Sequence, residues 1–237
     1  MGKSLPDPER LNRRYADMES QELLAALCRD FAGRLALLTS FGAESAVLLD
    51  LVARADPATP VLFLETGKHF AETLAFRDLA RDRFRLTNLQ EIRPDPEMLA
   101  RLDPEGRLWQ ANPDACCHLR KVVPLREALR PYDLLVTGRK RIHGGERGRL
   151  QLFERFDGRL RVNPLADWSQ DDIDFAMEHA GLPRHPLLER GYRSIGCAPC
   201  TQPVAPGQDA RAGRWAGSAK TECGIHFAYR EGCGSGC

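Results

Sequence analysis

The chain has 237 residues, 43% of them hydrophobic and 28% charged, enough for one large globular domain or a domain with an extension. A net charge of +1 gives no global pull toward nucleic acid or a membrane surface, so neither is expected as a partner. No apolar run approaches the length of a bilayer span and residues 1–8 carry no secretory h-region, so a cytoplasmic location with reduced thiols is expected.

In chain order, residues 19–32 read as an amphipathic helix, with Leu23, Leu24, Leu27 and Phe31 at helical spacing. Residues 34–40 hold a short apolar run of the kind found in a buried parallel strand. The turn Ser40-Phe41-Gly42-Ala43-Glu44-Ser45 follows, then a helix to about Arg54. Val61-Leu62-Phe63-Leu64 is a second buried strand, followed by Glu65-Thr66-Gly67 and a helix from about Phe70 to Asp82. Residues 86–92 predict a third strand. Asn112-Pro113 reads as an N-cap with proline at the first helical position, opening one helix that runs through Cys116 and Cys117 to about Arg130. Residues 134–138 are another strand, residues 159–162 one arm of a hairpin turning at Asp157-Gly158, and Ser169 caps a helix over 170–180. After Pro183 periodicity fades, and 183–237 reads as an irregular extension of the domain formed by 1–182. Strand and helix alternating in this way imply an α/β fold with a parallel sheet, whose ligands bind beyond the carboxyl ends of the strands. The loops 40–45, 65–68 and 138–149 lie there.

Eight cysteines in a reducing setting read as ligands or reactive groups, not as a disulfide framework. Four stand in two tight pairs, Cys116-Cys117 and Cys197-Ala198-Pro199-Cys200, and can supply the four thiolates of an iron–sulfur cluster or a zinc ion. Adjacent side chains on an ideal helix point about 100° apart, which suits the several iron corners of a cuboidal cluster better than one zinc ion. Lys121 lies four residues after Cys117, where a cation would offset the negative charge of a four-thiolate cluster; His118 and Arg120 are further candidates. Cys223 is left as a separate thiol beside a flexible glycine, with Lys220 and His226 placed to favour its thiolate. Cys28 falls on the apolar face of the first helix, and Cys233 and Cys237 fall in a tail expected to be disordered. Basic residues are nearly all arginine, 29 against 5 lysines. Composition explains most of that, and only arginines inside motifs carry functional weight.

The 40–45 loop joins a strand to a helix N-terminus, a junction whose backbone N–H groups and dipole favour anions. It resembles the phosphate loop of the PP-loop adenine-nucleotide superfamily, with Phe41 where the Ser-Gly-Gly-x-Asp-Ser pattern has glycine and Glu44 where it has aspartate. That departure counts against cleavage of ATP to pyrophosphate. The full set is Ser40 to Ser45, Glu65-Thr66-Gly67-Lys68, Cys116-Cys117-His118-Leu119-Arg120-Lys121-Val122, Thr137-Gly138-Arg139-Lys140-Arg141, Gly196-Cys197-Ala198-Pro199-Cys200-Thr201, Arg211-Ala212-Gly213-Arg214-Trp215 and Lys220 to His226. In content and order it resembles the assimilatory adenylyl-sulfate reductases, the cluster-containing branch of the phosphoadenylyl-sulfate reductase family.

The resemblance implies an adenine-nucleotide α-hydrolase-like (PP-loop) fold with a C-terminal extension that carries cluster ligands and the catalytic cysteine. It implies a 4Fe–4S cluster on Cys116, Cys117, Cys197 and Cys200, and Lys121 linking cluster and substrate. Adenylyl sulfate would be held by the residues 40–45, by Thr66, Gly67 and Lys68, by Arg139, Arg141, Arg211 and Arg214, and by His226. Cys223 would attack the sulfate sulfur and expel AMP, and thioredoxin or glutaredoxin would then attack Cys223 and release sulfite, in sulfate assimilation. Glu65 and Lys68 replace the commoner Asp and Arg, and residues 142–147 differ from the commoner Gln-Ser stretch. The 3′-phosphorylated substrate, a PP-loop ATP-dependent tRNA sulfur transferase and a non-enzymatic iron–sulfur or zinc sensor are the alternatives. The oligomeric state, a homo-oligomer included, is left open.

Overall fold

The computed structural model of the chain describes residues 5–218 and 220–226; Cys233 and Cys237 lie outside the described residues. Six strands form one sheet: β1 (Leu35–Thr39), β2 (Val61–Leu64), β3 (Leu89–Ile92), β4 (Leu134–Thr137), β5 (Phe153–Phe156) and β6 (Arg159–Val162), in the order β3-β2-β1-β4-β6-β5. All neighbours pair parallel except the β5–β6 hairpin at the edge. The helices are α1 (Pro8–Arg14), α2 (Ser20–Asp30), α3 (Ser45–Ala55), α4 (Ala71–Arg83), α5 (Pro96–Leu102), α6 (Leu108–Ala111), α7 (Pro113–Cys117), α8 (Val123–Ala128) and α9 (Gln170–His179). The expected α/β fold with a parallel sheet is the one observed.

The period of two explains why the central strands are apolar throughout. Leu35 and Leu37 of β1, Val61 and Phe63 of β2, and Leu134 and Val136 of β4 face a layer built by α2, α3, α4 and α9. Their alternates, Ala36, Leu38, Leu62, Leu64 and Leu135, face the opposite layer, with Leu125 of α8, Leu129 and Tyr132. Register pins this arrangement, since Leu37 sits opposite both Val61 and Val136. Full burial of each such side chain contributes about 2 kcal/mol relative to exposure. α9 begins with the expected cap: the Ser169 side chain accepts from the Asp172 N–H, and Asp172 accepts from Ser169 in return.

Two elements differ from expectation. The helix expected over 112–130 is broken into α7, a π-helical turn over His118–Val122, and α8. Pro124 is the physical cause: it has no N–H to give and its ring crowds the preceding turn. The wider turn absorbs this, and the Val123 N–H reaches back five residues to the His118 carbonyl. The third strand is shorter than expected, because Leu86 is held in a turn by its N–H to the Arg81 carbonyl and Arg85 takes φ of 52°.

The extension after residue 182 contains short 3-10 turns at Pro186–Arg190 and Ala198–Cys200 and an isolated bridge between Thr201 and Arg214. It is packed onto the sheet domain. Leu187 and Ile195 bury against Ala43, and the Ala198 N–H donates to the Lys68 carbonyl at 2.7 Å.

Candidate active site

β1 pairs with β2 on one side and β4 on the other, so the loops leaving β1 and β4 diverge at the switch point where α/β sheets open a crevice. A cavity of about 230 Å³ lies there. Its floor is apolar, with Leu37, Leu38, Leu48, Leu49 and Leu165. Its walls carry seven cationic side chains, Lys121, Arg139, Lys140, Arg147, Arg193, Arg211 and Arg214, against two carboxylates, Glu44 and Glu222. An apolar floor under an excess of positive charge suits a flat base joined to an anionic tail.

The 40–45 loop forms one lip. Ser40, Gly42, Ala43, Glu44 and Ser45 line the cavity, and both the N–H and the hydroxyl of Ser45 bond to the Gly42 carbonyl. Phe41 instead points into the core, fully buried and edge-on to Phe63 at 5.3 Å between ring centroids. Its φ is +46°, the left-handed conformation for which the superfamily pattern supplies glycine. The conformation costs about 1–2 kcal/mol for a residue with a Cβ, and burial of the ring offsets it. The lip therefore keeps a glycine-like path without the glycine.

Among the other residues expected at the site, Arg139, Arg211, Arg214, Lys121, His226 and Cys223 also line the cavity. Arg141 does not: its guanidinium turns outward to Asp167 and to the Leu150 carbonyl. Thr66, Gly67 and Lys68 lie behind the cavity, toward the cysteine pairs. The Thr66 hydroxyl contacts Cys197 Sγ at 3.3 Å, and Lys68 Nζ donates to the Gly106 carbonyl at 2.7 Å. Arg214 packs on Gly196, where a Cβ would lie 2.3 Å from its Nη2, so a larger residue there would displace the guanidinium. Arg139 shares Glu154 with Arg161. Burial, then Arg161, pushes Arg139 down to about 10, still charged at neutral pH. Lys140 pairs with Glu44. Burial, then Lys140, pushes His143 down to about 4. His226 is likewise held neutral, by burial and then by Arg147, Arg139, Arg161 and Arg211.

Cys116, Cys117, Cys197 and Cys200 are free and line one small cavity with Lys68, Arg120 and Lys121. Burial pushes Cys117 up to about 11 and raises Cys116 and Cys200, with mutual repulsion among the four sulfurs adding to it. Four such thiols become thiolates only beside strong positive charge, which a bound metal centre supplies. Among the described residues no group of three or more His, Cys, Asp or Glu is arranged to hold a metal ion. Tetrahedral zinc draws its sulfurs to about 3.8 Å from one another, whereas a cuboidal cluster takes them at its separate corners. Four sulfur donors around one cavity are the set that either kind of centre would need. Lys121 touches both cavities. Burial alone would lower its pKa, but Cys197, Cys223 and Cys117 raise it and keep it an ammonium. Arg120 ties the cysteine helix to the sheet, with Nη2 to Asp103 at 2.6 Å and Nη1 to the Thr66 carbonyl at 2.8 Å.

Cys223 is half-buried and lines the cavity, together with Glu222, Ile225 and His226 of the same segment. Lys220 pairs with Asp114 of α7 and lies over the Trp215 ring. The Glu222 carboxylate receives a fork from Arg147, and Arg161 Nη1 donates to the His226 carbonyl at 3.1 Å. Sequence reasoning singled out neither Arg147 nor Glu222 as functional. The two are separated by 75 positions, and complementary charge was the one signal available.

Residues 34–203 match the model of the phosphoadenosine phosphosulfate reductase domain. A protein of Mesorhizobium japonicum called adenosine 5'-phosphosulfate reductase is 50% identical over 223 residues, spanning 93% of this chain and 87% of the relative. A phosphoadenosine 5'-phosphosulfate reductase of Gloeobacter violaceus is 40% identical over 231 residues, 95% of this chain and 96% of the relative. Among solved structures, the phosphoadenylyl-sulfate reductase of Candida auris superposes with a TM-score of 0.71 at 24% identity, covering 86% of this chain and 100% of that one, a likeness of fold. With a matching domain model over most of its length and relatives of this identity, the chain belongs to the phosphoadenosine phosphosulfate reductase family.

Proposed function

We propose that the chain reduces adenylyl sulfate to sulfite and AMP in sulfate assimilation, with a dithiol reductant of the thioredoxin or glutaredoxin kind. The observation that carries this reading is the placement of the free thiol Cys223 in the wall of a cation-lined cavity beyond the carboxyl ends of β1 and β4. Two relatives at 50% and 46% identity named adenosine 5'-phosphosulfate reductase support the choice of substrate. The adenine and ribose would lie over the apolar floor, with the phosphosulfate among Lys121, Arg139, Arg211 and Arg214 and the 40–45 lip.

In the first step the Cys223 thiolate attacks the sulfate sulfur in line. A bond forms from Cys223 Sγ to that sulfur, the bond from sulfur to the bridging phosphate oxygen breaks, and its electron pair leaves with AMP. Cationic side chains and backbone N–H groups aimed at the departing phosphate lower the barrier by offsetting the charge that develops there. The neutral ring of His226 can hydrogen-bond the sulfonate without competing for it as a cation. In the second step a reductant thiolate attacks Cys223 Sγ. Sulfite leaves with the electron pair of the sulfur–sulfur bond, and the reductant's second thiol resolves the mixed disulfide. The dithiol is oxidised by two electrons and the sulfate sulfur is reduced by two.

Cys116, Cys117, Cys197 and Cys200 are the residues that would hold a 4Fe–4S cluster, which when bound would place charge near the sulfate group beside Lys121. The donor chemistry of four thiols, three of them buried, next to Lys68, Arg120 and Lys121 supports that assignment.

The test is sulfite release by anaerobically purified protein given thioredoxin and either adenylyl sulfate or its 3′-phosphorylated form. Preference for adenylyl sulfate is expected, with Cys223→Ser abolishing sulfite while retaining iron. The second reading, the 3′-phosphorylated substrate, is favoured by the name of the 40% identical Gloeobacter relative, and the same assay would select it. Consumption of ATP in place of sulfite release would move the assignment to a sulfur transferase.

A further inference from the structure

Glu222, beside the cysteine, directs its carboxylate onto two cavity arginines. Arg147 Nε and Nη2 donate to its two oxygens at 2.7 and 3.1 Å, and Arg211 Nη2 lies 3.2 Å from the first. The three side chains are 13%, 12% and 17% exposed. Arg211 also donates to the Thr221 carbonyl at 2.8 Å. Both residues before Cys223 are therefore held by arginines of the cavity wall.

The relative strengths of the tethers decide which one matters. The Lys220 pair with Asp114 has a partner that is 78% exposed, and such pairs contribute little. The Arg161 bond to the His226 carbonyl has a neutral acceptor. Ile225 adds partial apolar contact with the layer under the sheet. Against these stands a charge-assisted, two-pronged fork that is largely removed from water, the strongest type of tether in this segment.

We propose that Glu222 is the positioning residue for Cys223: its fork on Arg147 holds residues 220–226 docked for attack on the substrate, and release of the fork frees the segment to present the sulfonated thiol to the reductant. The proposal rests on the covalent reading above. A thiol that is half-buried when docked must be reached by a protein-sized reductant, so the segment needs a strong but reversible hold, and an ion pair at the cavity rim supplies one.

The test measures native iodoacetamide labelling of Cys223 under anaerobic conditions. It is read on the tryptic peptide 221–230, in which Cys223 is the single cysteine. Glu222→Gln keeps the volume and removes the charge; Arg147→Gln breaks the same fork from the other side. Loss of a charged hydrogen bond predicts labelling about 10- to 100-fold faster in each. The two substitutions change local charge in opposite senses. A purely electrostatic effect on thiol reactivity would therefore move them in opposite directions, whereas undocking accelerates both. In single turnover with adenylyl sulfate, adduct formation in Glu222→Gln should slow by a similar factor. Discharge of the preformed adduct by dithiothreitol should be unchanged or faster. Labelling within twofold of wild type in both variants, opposite shifts in the two, or formation and discharge slowed in parallel would overturn the proposal. If wild-type protein forms no adduct at all, the covalent reading fails, and the labelling comparison decides the latch alone.

Discussion

Asp103 and Arg120 form a buried ion pair whose rupture should be costly. Their side chains are 2% and 8% exposed. Asp103 accepts from Arg120 Nη2 at 2.6 Å and from the Leu108 N–H at 2.8 Å. Burial alone would raise the Asp103 carboxyl, but the hydrogen bond from Arg120 and the Leu108 N–H hold it below the ordinary carboxylate range. Asp103→Asn preserves the shape and the acceptor for Leu108. It places an amide N–H₂ against a guanidinium N–H and leaves the arginine charge without a counter-ion. Removing one partner of a buried pair costs about 3–5 kcal/mol, a large share of a total stability of about 5–15 kcal/mol. With a urea dependence of about 2–3 kcal/mol per molar, the unfolding midpoint should fall by about 1–2 M. The double variant Asp103→Leu with Arg120→Met removes both charges and should recover more than half of that loss. The coupling energy then follows from the four-protein cycle. A midpoint for Asp103→Asn within about 0.3 M of wild type, or a double variant less stable than either single one, would refute the reasoning.

Three further outcomes follow from the same geometry. His185 is buried, with Nδ1 accepting from the Leu187 N–H and Nε2 facing the Thr73 hydroxyl at 3.0 Å, and burial pushes it down to about 4. The unfolded chain takes up the extra proton first, so stability that is complete above about pH 6.5 is lost as pH falls toward 4, by about 3 kcal/mol for this group. His143, His226 and His69 are shifted in the same direction, so His185→Asn should remove one proton's share of the slope of unfolding free energy against pH between 5 and 6.5; an unchanged slope would contradict this. Phe41→Ala should lose about 3–5 kcal/mol in urea unfolding, and Phe41→Gly should lose about 1 kcal/mol less, because glycine relieves the left-handed strain; equal losses would show that the strain is absent. Lys121→Met should lower the rate of Cys223 sulfonation by about 100-fold or more while the unfolding midpoint holds, and retention of the wild-type rate would remove Lys121 from the site.

The layered core was legible because apolar runs such as Leu35-Ala36-Leu37-Leu38 can bury both faces in a parallel sheet and little else. The cysteine pairs were equally legible, since their spacing is chemical before it is structural. Phe41 was harder: as a departure from a glycine pattern it counted against cleavage of ATP to pyrophosphate, and only the backbone angle reveals that the position takes a left-handed conformation open to glycine. The break at His118–Val122 follows from Pro124, but a proline inside a helical run signals a kink without saying which kind. Arg141 could not be separated from Arg139 by sequence, because residues two apart after a strand end can turn to opposite sides. The Arg147 fork on Glu222 depends on the fold bringing a 3-10 turn and the C-terminal segment together, a long-range contact that no local pattern encodes.

The most direct test of the central claim is mass spectrometry of the tryptic peptide 221–230 after anaerobic incubation with adenylyl sulfate and no reductant. The account expects one SO₃ group on Cys223, stoichiometric AMP, and loss of the adduct as sulfite when thioredoxin is added. AMP or sulfite formed with Cys223 unmodified, or an adduct on any other cysteine, would contradict it.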